Sequence, residues 1–288
     1  MDILTRFAPA PTGHLHLGHV VNAIYVWGFA QSERSESKGG SKGVLLRIED
    51  HDRQRSRPEY DAAILEDLSW LGFQAEAPVV RQSERGDLYS GALEALRAKG
   101  LVYACSCSRS EIASGRYPGT CRDRGLRDDG RVGLRVRIDD AVERFDDLRH
   151  GAQAQQPSAQ CGDVLIRDRD GNWTYQFAAV VDDTLQGITH VIRGDDLLAS
   201  TGRQIQIARL LGREAPPRFL HHPLIMKAPD QKLSKSDRDT GVRDLRARGW
   251  TAPQVIGRAA FLAGLIREPR SVRADEVPDM MSAFTRGL

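Results

Sequence analysis

The amino-acid sequence predicts an α/β fold with a parallel sheet. In the first hundred residues, segments typical of strands alternate with segments typical of helices, and this order builds parallel strand–helix–strand units. Polar and charged residues follow the first two predicted strands, and open parallel sheets bind their ligands at the carboxyl ends of strands. A chain of 288 residues is long enough for one large domain with a subdomain.

The pattern of each segment assigns the individual elements. Helices are predicted where apolar residues recur every three or four positions, and strands where short apolar runs are bounded by turn residues. Pro58 suits the first turn of a helix and Gly100 the end of one. The predicted helices are residues 17–30, 58–72, 83–99, 200–212 and 253–265. The predicted strands are residues 44–48 and 188–192, and residues 163–166 and 173–177 are predicted to pair as a hairpin. Residues 219–225 form an apolar run, 32–43 a polar loop and 151–160 a polar linker.

Composition limits the classes of protein that the chain can be. Its 40% hydrophobic and 28% charged residues are typical of a globular protein. The net charge is only +2, so a nucleic-acid surface has to be a local patch, for which the arginines between Arg109 and Arg149 are candidates. No apolar stretch approaches the roughly 20 residues of a membrane span, and the four cysteines do not form a disulfide framework. We therefore expect a cytoplasmic location.

A histidine-rich turn joins the first strand to the first helix. The N-terminus of a helix offers free backbone N–H groups to an anion. His16 and His19 could donate hydrogen bonds to phosphate oxygens there, and Gly18 would let a flat ligand approach the backbone. Far along the chain, Lys232-Leu233-Ser234-Lys235-Ser236 forms a second polar segment that can fold over phosphates. The alternative is that the histidine turn merely caps a helix.

Charged residues at two predicted strand ends suit an amino-acid ligand. The carboxylates of Glu49, Asp50 and Asp52 could hold an ammonium group or cap the next helix, and capping is the preferred explanation for Asp50 and Asp52. Arg193 follows the strand at 188–192, and its planar guanidinium suits a carboxylate. The alternative for Arg193 is an ion pair with Asp195 or Asp196.

A change of composition at 102–137 predicts an inserted subdomain that contains Cys105, Cys107 and Cys121. Thiolates are good zinc ligands, and a structural zinc needs a fourth donor. Histidine, aspartate or water could supply it, and the alternative is three free buried cysteines. Cys161 lies outside this cluster and is read as a core thiol.

Several motifs together resemble one known family. His16-Leu17-Gly18-His19 and Lys232-Leu233-Ser234-Lys235-Ser236 resemble the paired HIGH and KMSKS signatures of class I aminoacyl-tRNA synthetases. Arg6-Phe7-Ala8-Pro9, Arg47-Ile48-Glu49-Asp50 and the run 191–196 resemble the glutamyl branch. The length of the chain resembles that of the short glutamyl-queuosine tRNA(Asp) synthetases. The likeness covers Ile3 to about Ser236.

The resemblance implies a fold and an activity. It implies a Rossmann-like catalytic domain in residues 1–101 and 138–236, a zinc-binding subdomain in 102–137, and a short helical C-terminal segment in 237–288 without an anticodon-binding domain. It implies a ligase that activates L-glutamate with Mg²⁺ and ATP as glutamyl-adenylate. The glutamyl group would then pass to queuosine in the anticodon stem-loop of tRNA(Asp), and we expect a monomer. The alternatives are a truncated glutamyl-tRNA synthetase that charges a tRNA 3′ end, a related nucleotidyltransferase, and a non-catalytic tRNA-binding paralogue.

The resemblance also implies the site residues. ATP would be held by His16, Gly18, His19, Lys232 and Lys235, of which His16, His19 and Lys235 would be catalytic. Glutamate would be held by Arg6, Ala8, Ala10, Glu49, Tyr175 and Arg193. Zinc would be held by Cys105, Cys107, Tyr117 and Cys121. One departure is Ala10, because the family usually has serine there, and its hydrogen bond would be worth about 0.5–1.5 kcal/mol.

Overall fold

A parallel sheet carries the candidate site. The computed structural model describes residues 3–32, 43–108, 110–112, 115–228, 231–232 and 240–285. The strands of this sheet are β1 (Leu4–Phe7), β2 (Gly43–Ile48), β3 (Val80–Arg81), β6 (Glu143–Asp147), β7 (Gly151–Gln155), β9 (His190–Gly194) and β10 (Arg218–His222). In one group of strands, β1, β2 and β3 are parallel neighbours. In the other group, β10 lies parallel to β9 and to β6, and β7 is an antiparallel edge strand.

The two groups of strands meet at β1 and β9. The backbone N–H of Thr189 donates to the Leu4 carbonyl over 2.9 Å, and the Leu4 N–H donates to the Thr189 hydroxyl over 2.9 Å. The carboxyl ends of β1, β2 and β9 therefore lie at one edge of the sheet, as the sequence predicts. The parallel sheet of the α/β fold is confirmed.

The helices pack on both faces of this sheet. They are α1 (Leu17–Ser32), α2 (Pro58–Leu71), α3 (Gly86–Ala98), α4 (Pro157–Gln160), α5 (Tyr175–Leu185), α6 (Thr201–Leu210), α7 (Val242–Ala247), α8 (Ala252–Leu262) and α9 (Val277–Thr285). The helix α1 is buried along most of its length because α8 and α9 cover it, in one core with β1, β2 and α2. The helices α3, α5 and α6 share a second core. Within the described residues, no helix is long and apolar enough to cross a membrane.

Most predicted helices are confirmed, with shifted ends. The helix α2 begins at Pro58 as predicted, and it is capped at its C-terminus by Gly72, whose φ of 89° lies in the left-handed region. The helix α3 begins at Gly86 rather than residue 83, because Gln82–Glu84 forms a separate 3-10 turn. The helix α8 begins after Thr251, whose side chain forms a capping box with Gln254. The predicted loop at 32–43 lies almost entirely outside the described residues.

Two predictions in the middle of the chain were wrong. The segment 173–177 does not return as a strand: only Trp173 pairs with Arg167, and Tyr175 opens the helix α5. Its alternation of polar and apolar residues matches a strand, but Phe177, Val180 and Val181 are buried at helical spacing. The supposed linker at 151–160 contains β7, whose hydrogen bonds to β6 are made by the backbone and therefore leave little trace in its polar sequence.

A small antiparallel sheet holds the cysteine-containing segment. It consists of β4 (Val102–Cys105), β5 (Gly133–Val136) and β8 (Val164–Arg167), in that order. The first two strands flank the cysteines, and β8 joins from beyond residue 137. The remaining short pair, β11 (Met226–Ala228) and β12 (Gln231–Lys232), is antiparallel.

Candidate active site

The histidine turn folds on itself at the start of α1. The rings of His16 and His19 lie 3.9 Å apart between centroids. The backbone N–H of His16 donates to Nδ1 of His19, and that of Gly18 donates to Nδ1 of His16, each over 3.1 Å. Because Nδ1 accepts in both rings, each neutral imidazole carries its hydrogen on Nε2. Both histidines therefore carry an N–H donor on Nε2.

Gly18 is also constrained by the ring of His16. A Cβ atom at this position would lie 2.9 Å from Cε1 and 3.0 Å from Nδ1 of His16. The absence of a side chain therefore makes room for the His16 ring, which covers the backbone of Gly18. The sequence could not show this, because it does not reveal which way the His16 ring turns.

The chain that follows the lysine segment returns to the histidine turn. The carbonyl of Thr240 accepts the Leu17 N–H over 3.0 Å, and the Val242 N–H donates to the Leu15 carbonyl over 2.9 Å. Thr240 lies four residues after Ser236 in the sequence. Lys235 lies outside the described residues, and of Lys232 only the backbone, in β12, is described.

A buried group of charges lies behind the ends of β1 and β2. Asp183 Oδ1 accepts from Arg6 Nε over 3.0 Å and from Arg47 Nη1 over 2.7 Å. Arg47 is fully buried, and its Nε lies 3.8 Å from a carboxylate oxygen of Asp182. Although burial opposes ionisation of Asp183, Arg6 and Arg47 keep the pKa of its carboxyl below the usual value. Arg6, a predicted glutamate ligand, is therefore held by a carboxylate from α5.

Glu49 lies at the end of β2, where the sequence places it, and has a partner that the sequence did not predict. Its Oε1 accepts from Arg47 Nη2 over 3.1 Å, and its backbone N–H donates to the Pro9 carbonyl over 3.0 Å. Burial raises the pKa of Glu49, and Arg47 opposes the shift. The loops after β1 and β2 thus lie against each other, which brings Glu49 close to the turn that contains Ala8 and Ala10.

Arg193 is buried with neutral partners. Within the described chain it donates to His221, Gln204, Thr201 and the Leu197 carbonyl, and it also hydrogen-bonds the hydroxyl of Tyr175. Asp195, proposed as its alternative partner, instead accepts from Arg149 over 2.7 Å and contacts His150 over 2.8 Å.

Tyr175 and Arg6 lie close to Arg193. Burial lowers the pKa of Arg193, while the hydroxyl of Tyr175, which hydrogen-bonds the guanidinium, raises it. Arg6 on the neighbouring strand contacts the carbonyl of Ile192 over 3.4 Å. Tyr175 occupies the first position of α5, so its approach to Arg193 depends on the helix that replaces the predicted strand. The structure therefore brings Arg6, Tyr175 and Arg193 together.

The predicted zinc ligands also come together. The sulfur atoms of Cys105, Cys107 and Cys121 all lie within 4.8 Å of one another, and those of Cys107 and Cys121 are 3.6 Å apart. The Tyr117 hydroxyl lies 3.5 Å from the Cys105 sulfur. Sulfur ligands on a tetrahedral zinc, each at about 2.3 Å, are separated by roughly 3.8 Å. The four side chains therefore fit such an ion.

The environment of the cluster favours a thiolate at Cys121. Burial alone would raise the pKa of Cys121, but hydrogen bonds from Ser106, Cys107 and Tyr117 lower it to about 6. Arg135 stacks 3.7 Å from the Tyr117 ring centroid and donates to the Cys105 sulfur over 3.3 Å. Cys161 stays apart, with its thiol donating to the Pro157 carbonyl over 3.3 Å.

Several residues of the site were missed from the sequence. They are Arg47, Asp182, Asp183 and His221, all of which are buried. The only signal in the sequence is that two adjacent aspartates interrupt the apolar run of α5. Buried charges need partners, so this pair pointed to cations that only the tertiary structure identifies.

Comparison with known proteins defines the class. Residues 2–275 match the family model described as tRNA synthetases class I (E and Q), catalytic domain. The chain belongs to this family of class I tRNA synthetases.

Curated relatives narrow the comparison. The chain is 41% identical, over 94% of its length and 90% of the relative's, to a Glutamyl-Q tRNA(Asp) synthetase of Symbiobacterium thermophilum. It is 44% identical, over 93% of its length and 87% of the relative's, to the protein of that name in Cupriavidus metallidurans. The resemblance found in the sequence motifs is thereby confirmed.

Solved structures share the fold. A glutamate-tRNA synthetase from Elizabethkingia anophelis superposes with a TM-score of 0.78 at 27% identity, over 96% of this chain. A glutamate tRNA ligase from Elizabethkingia meningosepticum, in complex with its amino acid, gives 0.78 at 26% identity over 96% of this chain. The chain spans 65% and 64% of those two proteins.

Proposed function

We propose that this protein is a ligase that activates L-glutamate with ATP and transfers the glutamyl group to queuosine in tRNA(Asp). The relatives named Glutamyl-Q tRNA(Asp) synthetase, 38% and 44% identical in two further examples, support the acceptor. The observation that supports glutamate best is Arg193, a buried guanidinium whose partners in the described chain are neutral. A substrate carboxylate would supply the missing negative charge.

The first step would form glutamyl-adenylate. An oxygen of the glutamate α-carboxylate attacks the α-phosphorus of ATP, the bond to the β-phosphate oxygen breaks, and pyrophosphate leaves. His16 and His19 would donate through Nε2 to phosphate oxygens, and Lys232 and Lys235 would add positive charge. Mg²⁺, bound together with ATP, would neutralise part of the phosphate charge. The protein contributes positioning and charge stabilisation, without a covalent enzyme intermediate.

The glutamate ligands would act on opposite ends of the substrate. Arg6, Arg193 and Tyr175 would bind carboxylate oxygens, and Glu49 would bind the α-ammonium. Ala8 and Ala10 lie in the turn after β1, where their small side chains leave the backbone accessible, and Ala10 is exposed. Replacing Arg193 with leucine should abolish glutamate activation, because a buried carboxylate would lose its partner.

In the second step a hydroxyl of queuosine attacks the glutamyl carbonyl, the ester forms, and AMP leaves. We propose that the anticodon stem-loop enters at the edge of the sheet that holds the adenylate. Arginines between 109 and 149 would contact RNA phosphates, which makes binding salt-dependent. We also propose that the protein acts as a monomer in the cytoplasm and that 237–288 forms a short helical C-terminal segment.

Zinc would have a structural role. Cys105, Cys107, Tyr117 and Cys121 would fill four positions around the ion, leaving none open for substrate. The ion would tie the loop between β4 and β5 into one unit, which we propose as the zinc-binding subdomain at 102–137, inserted between the two halves of the catalytic domain.

One labelling experiment tests the function. The protein is incubated with labelled glutamate and ATP, and with tRNA(Asp) that contains or lacks queuosine, or with tRNA(Glu). We expect label only on tRNA(Asp) that contains queuosine. Label on unmodified tRNA(Glu), and none on tRNA(Asp), would instead identify a truncated glutamyl-tRNA synthetase.

A further inference from the structure

A buried series of hydrogen bonds leads from Asp147 through His221 to Arg193. Asp147 Oδ2 lies 2.6 Å from His221 Nδ1, and Arg193 Nε lies 3.0 Å from His221 Nε2. The exposed fractions are 2% for Asp147, 0% for His221 and 5% for Arg193. The residues stand on β6, β10 and β9, which are adjacent strands, and His221 is in register with Arg193. The sheet itself therefore fixes their order.

Within the described residues, the groups that hydrogen-bond to the carboxylate of Asp147 are all donors. Its Oδ1 accepts the backbone N–H groups of Arg149 and His150 over 3.0 Å and 2.9 Å, and its Oδ2 accepts that of His221 over 3.1 Å. Burial opposes ionisation, but these bonds and His221 keep the pKa of Asp147 below its usual value. A carboxylate has no hydrogen to give, so the hydrogen between Asp147 and His221 must belong to His221 Nδ1.

This arrangement sets the state of the other ring nitrogen. Burial lowers the pKa of His221, and Arg193 adds to this, which favours the neutral ring over the opposing effect of Asp147. A neutral ring with its hydrogen on Nδ1 has a lone pair on Nε2. That lone pair accepts the hydrogen of Arg193 Nε. The contact orients the guanidinium without neutralising it.

Arg6 and Arg193 differ in the charge of their hydrogen-bond partners. Arg6 is paired with the carboxylate of Asp183 over 3.0 Å. Arg193 instead meets an imidazole, an amide, a hydroxyl and a carbonyl. A carboxylate in the place of His221 would satisfy the charge of Arg193, and a protonated histidine would repel it.

We propose that Asp147 is a positioning residue for substrate binding: through the tautomer of His221 it orients Arg193 and leaves the charge of Arg193 available to a substrate carboxylate. The proposal rests on the assignment of Arg193 to glutamate in the proposed function and deepens it. Neither Asp147 nor His221 touches the substrate.

Asp147→Asn tests the tautomer directly. The amide oxygen, in the Oδ1 position, can still accept the backbone N–H groups of Arg149 and His150. The amide nitrogen, in the Oδ2 position, donates to His221 Nδ1 and leaves the backbone N–H of His221 without this acceptor. The ring hydrogen then moves to Nε2, where it faces the N–H of Arg193. We expect the KM for glutamate in pyrophosphate–ATP exchange to rise about 10- to 100-fold, with the KM for ATP changed less than about twofold. Asp146→Asn is the matched control, because Asp146 is the exposed neighbour on β6, and it should leave both values unchanged.

A spectroscopic measurement does not depend on activity. Nitrogen-15 NMR of histidine-labelled wild-type protein should place the His221 hydrogen on Nδ1, and the spectrum of Asp147→Asn should place it on Nε2. A wild-type hydrogen on Nε2, or a wild-type glutamate KM in Asp147→Asn, overturns the proposal, and the wild-type spectrum decides even if the variant does not fold. Glutamate activation retained by Arg193→Leu would instead overturn the assignment of Arg193 to glutamate. Loss in Arg193→Leu together with a wild-type KM in Asp147→Asn would overturn the positioning role alone.

Discussion

Replacing Asp183 with asparagine should destabilise the protein strongly, because two buried arginines share this carboxylate. Arg6 and Arg47 both donate to Oδ1, over 3.0 Å and 2.7 Å. Arg47 is fully buried and Arg6 is 4% exposed, so water cannot replace the lost charge. Removing one partner of a buried ion pair typically costs about 3–5 kcal/mol. We expect Asp183→Asn to lower the free energy of unfolding by about this amount at neutral pH.

The pH dependence of the effect has a definite sign. The pKa of Asp183 lies below its usual value in the folded protein, since Arg6 and Arg47 overcome the opposing effect of burial, whereas the unfolded chain has a pKa of about 3.9. A depressed pKa contributes stability that is fully present above the unfolded value and is lost as the pH falls through the folded one. Asparagine does not titrate. The difference in stability between wild type and variant should therefore be greatest at neutral pH and shrink below about pH 4.

Urea unfolding at several pH values measures this difference. Asp170→Asn serves as the control, because Asp170 is exposed in a turn, and it should change the free energy of unfolding by less than about 0.5 kcal/mol. A loss below about 1 kcal/mol for Asp183→Asn would show that the two arginines find other partners. A difference that does not change with pH would show that folding leaves the pKa of Asp183 unchanged, and one that grows as the pH falls would show that its folded pKa is raised.

Three further predictions concern the nucleotide and metal sites. Gly18→Ala should lower kcat for pyrophosphate–ATP exchange about 100-fold, because the added carbon displaces the His16 ring, and wild-type exchange would contradict this. Cys121→Ser should reduce bound zinc from about one per chain to near zero by metal analysis, whereas Cys161→Ser should retain it; zinc that persists in Cys121→Ser would contradict the assignment. Lys235→Ala should abolish exchange while glutamate binding, measured by calorimetry, stays within about twofold of wild type.

The local sequence pattern was sufficient to predict the first helices of the fold. The helix α2 starts with a proline and ends before a glycine, so its bounds follow from backbone chemistry alone. The segment 173–177 shows the limit of this reasoning. Its five residues alternate like a strand, and the contacts that favour a helix are made by Phe177, Val180 and Val181 with distant parts of the core.

The positions of the proposed ligands could be predicted from the sequence, but the residues that hold those ligands in place could not. Arg6, Glu49 and Arg193 lie at strand ends, and parallel topology brings such ends together whatever the details of packing. The partners of Arg6 and Arg193 include Asp183 on α5 and His221 on β10, which are separated from them by 177 and 28 positions. Because side-chain pairing over such separations depends on the tertiary fold, no local pattern could have named Asp183 or His221.

The helix α5, whose first residues were read as a strand, determines much of the charge of the candidate site. Glu49 can bind an ammonium group only as a carboxylate, whereas burial raises its pKa and so favours the neutral form. Arg47 opposes this, since its guanidinium stays charged when buried and donates to Glu49 over 3.1 Å. Arg47 is in turn oriented by Asp182 and Asp183 of α5.

Asp183 also holds Arg6, so the same helix governs a group proposed for the substrate's ammonium and a group proposed for its carboxylate. Arg193 differs because its hydrogen-bond partners, which include His221 on β10 and Thr201 and Gln204 on α6, are neutral. Two groups of residues thus have different roles in the candidate site. The acids of α5 hold Arg6 and Arg47 in place, and Arg47 favours the ionised form of Glu49. Arg193, whose hydrogen-bond partners in the described chain are neutral, retains its positive charge for a ligand. A substitution in α5 should therefore disturb both ends of the bound amino acid, and one beside Arg193 should disturb only the carboxylate that it binds.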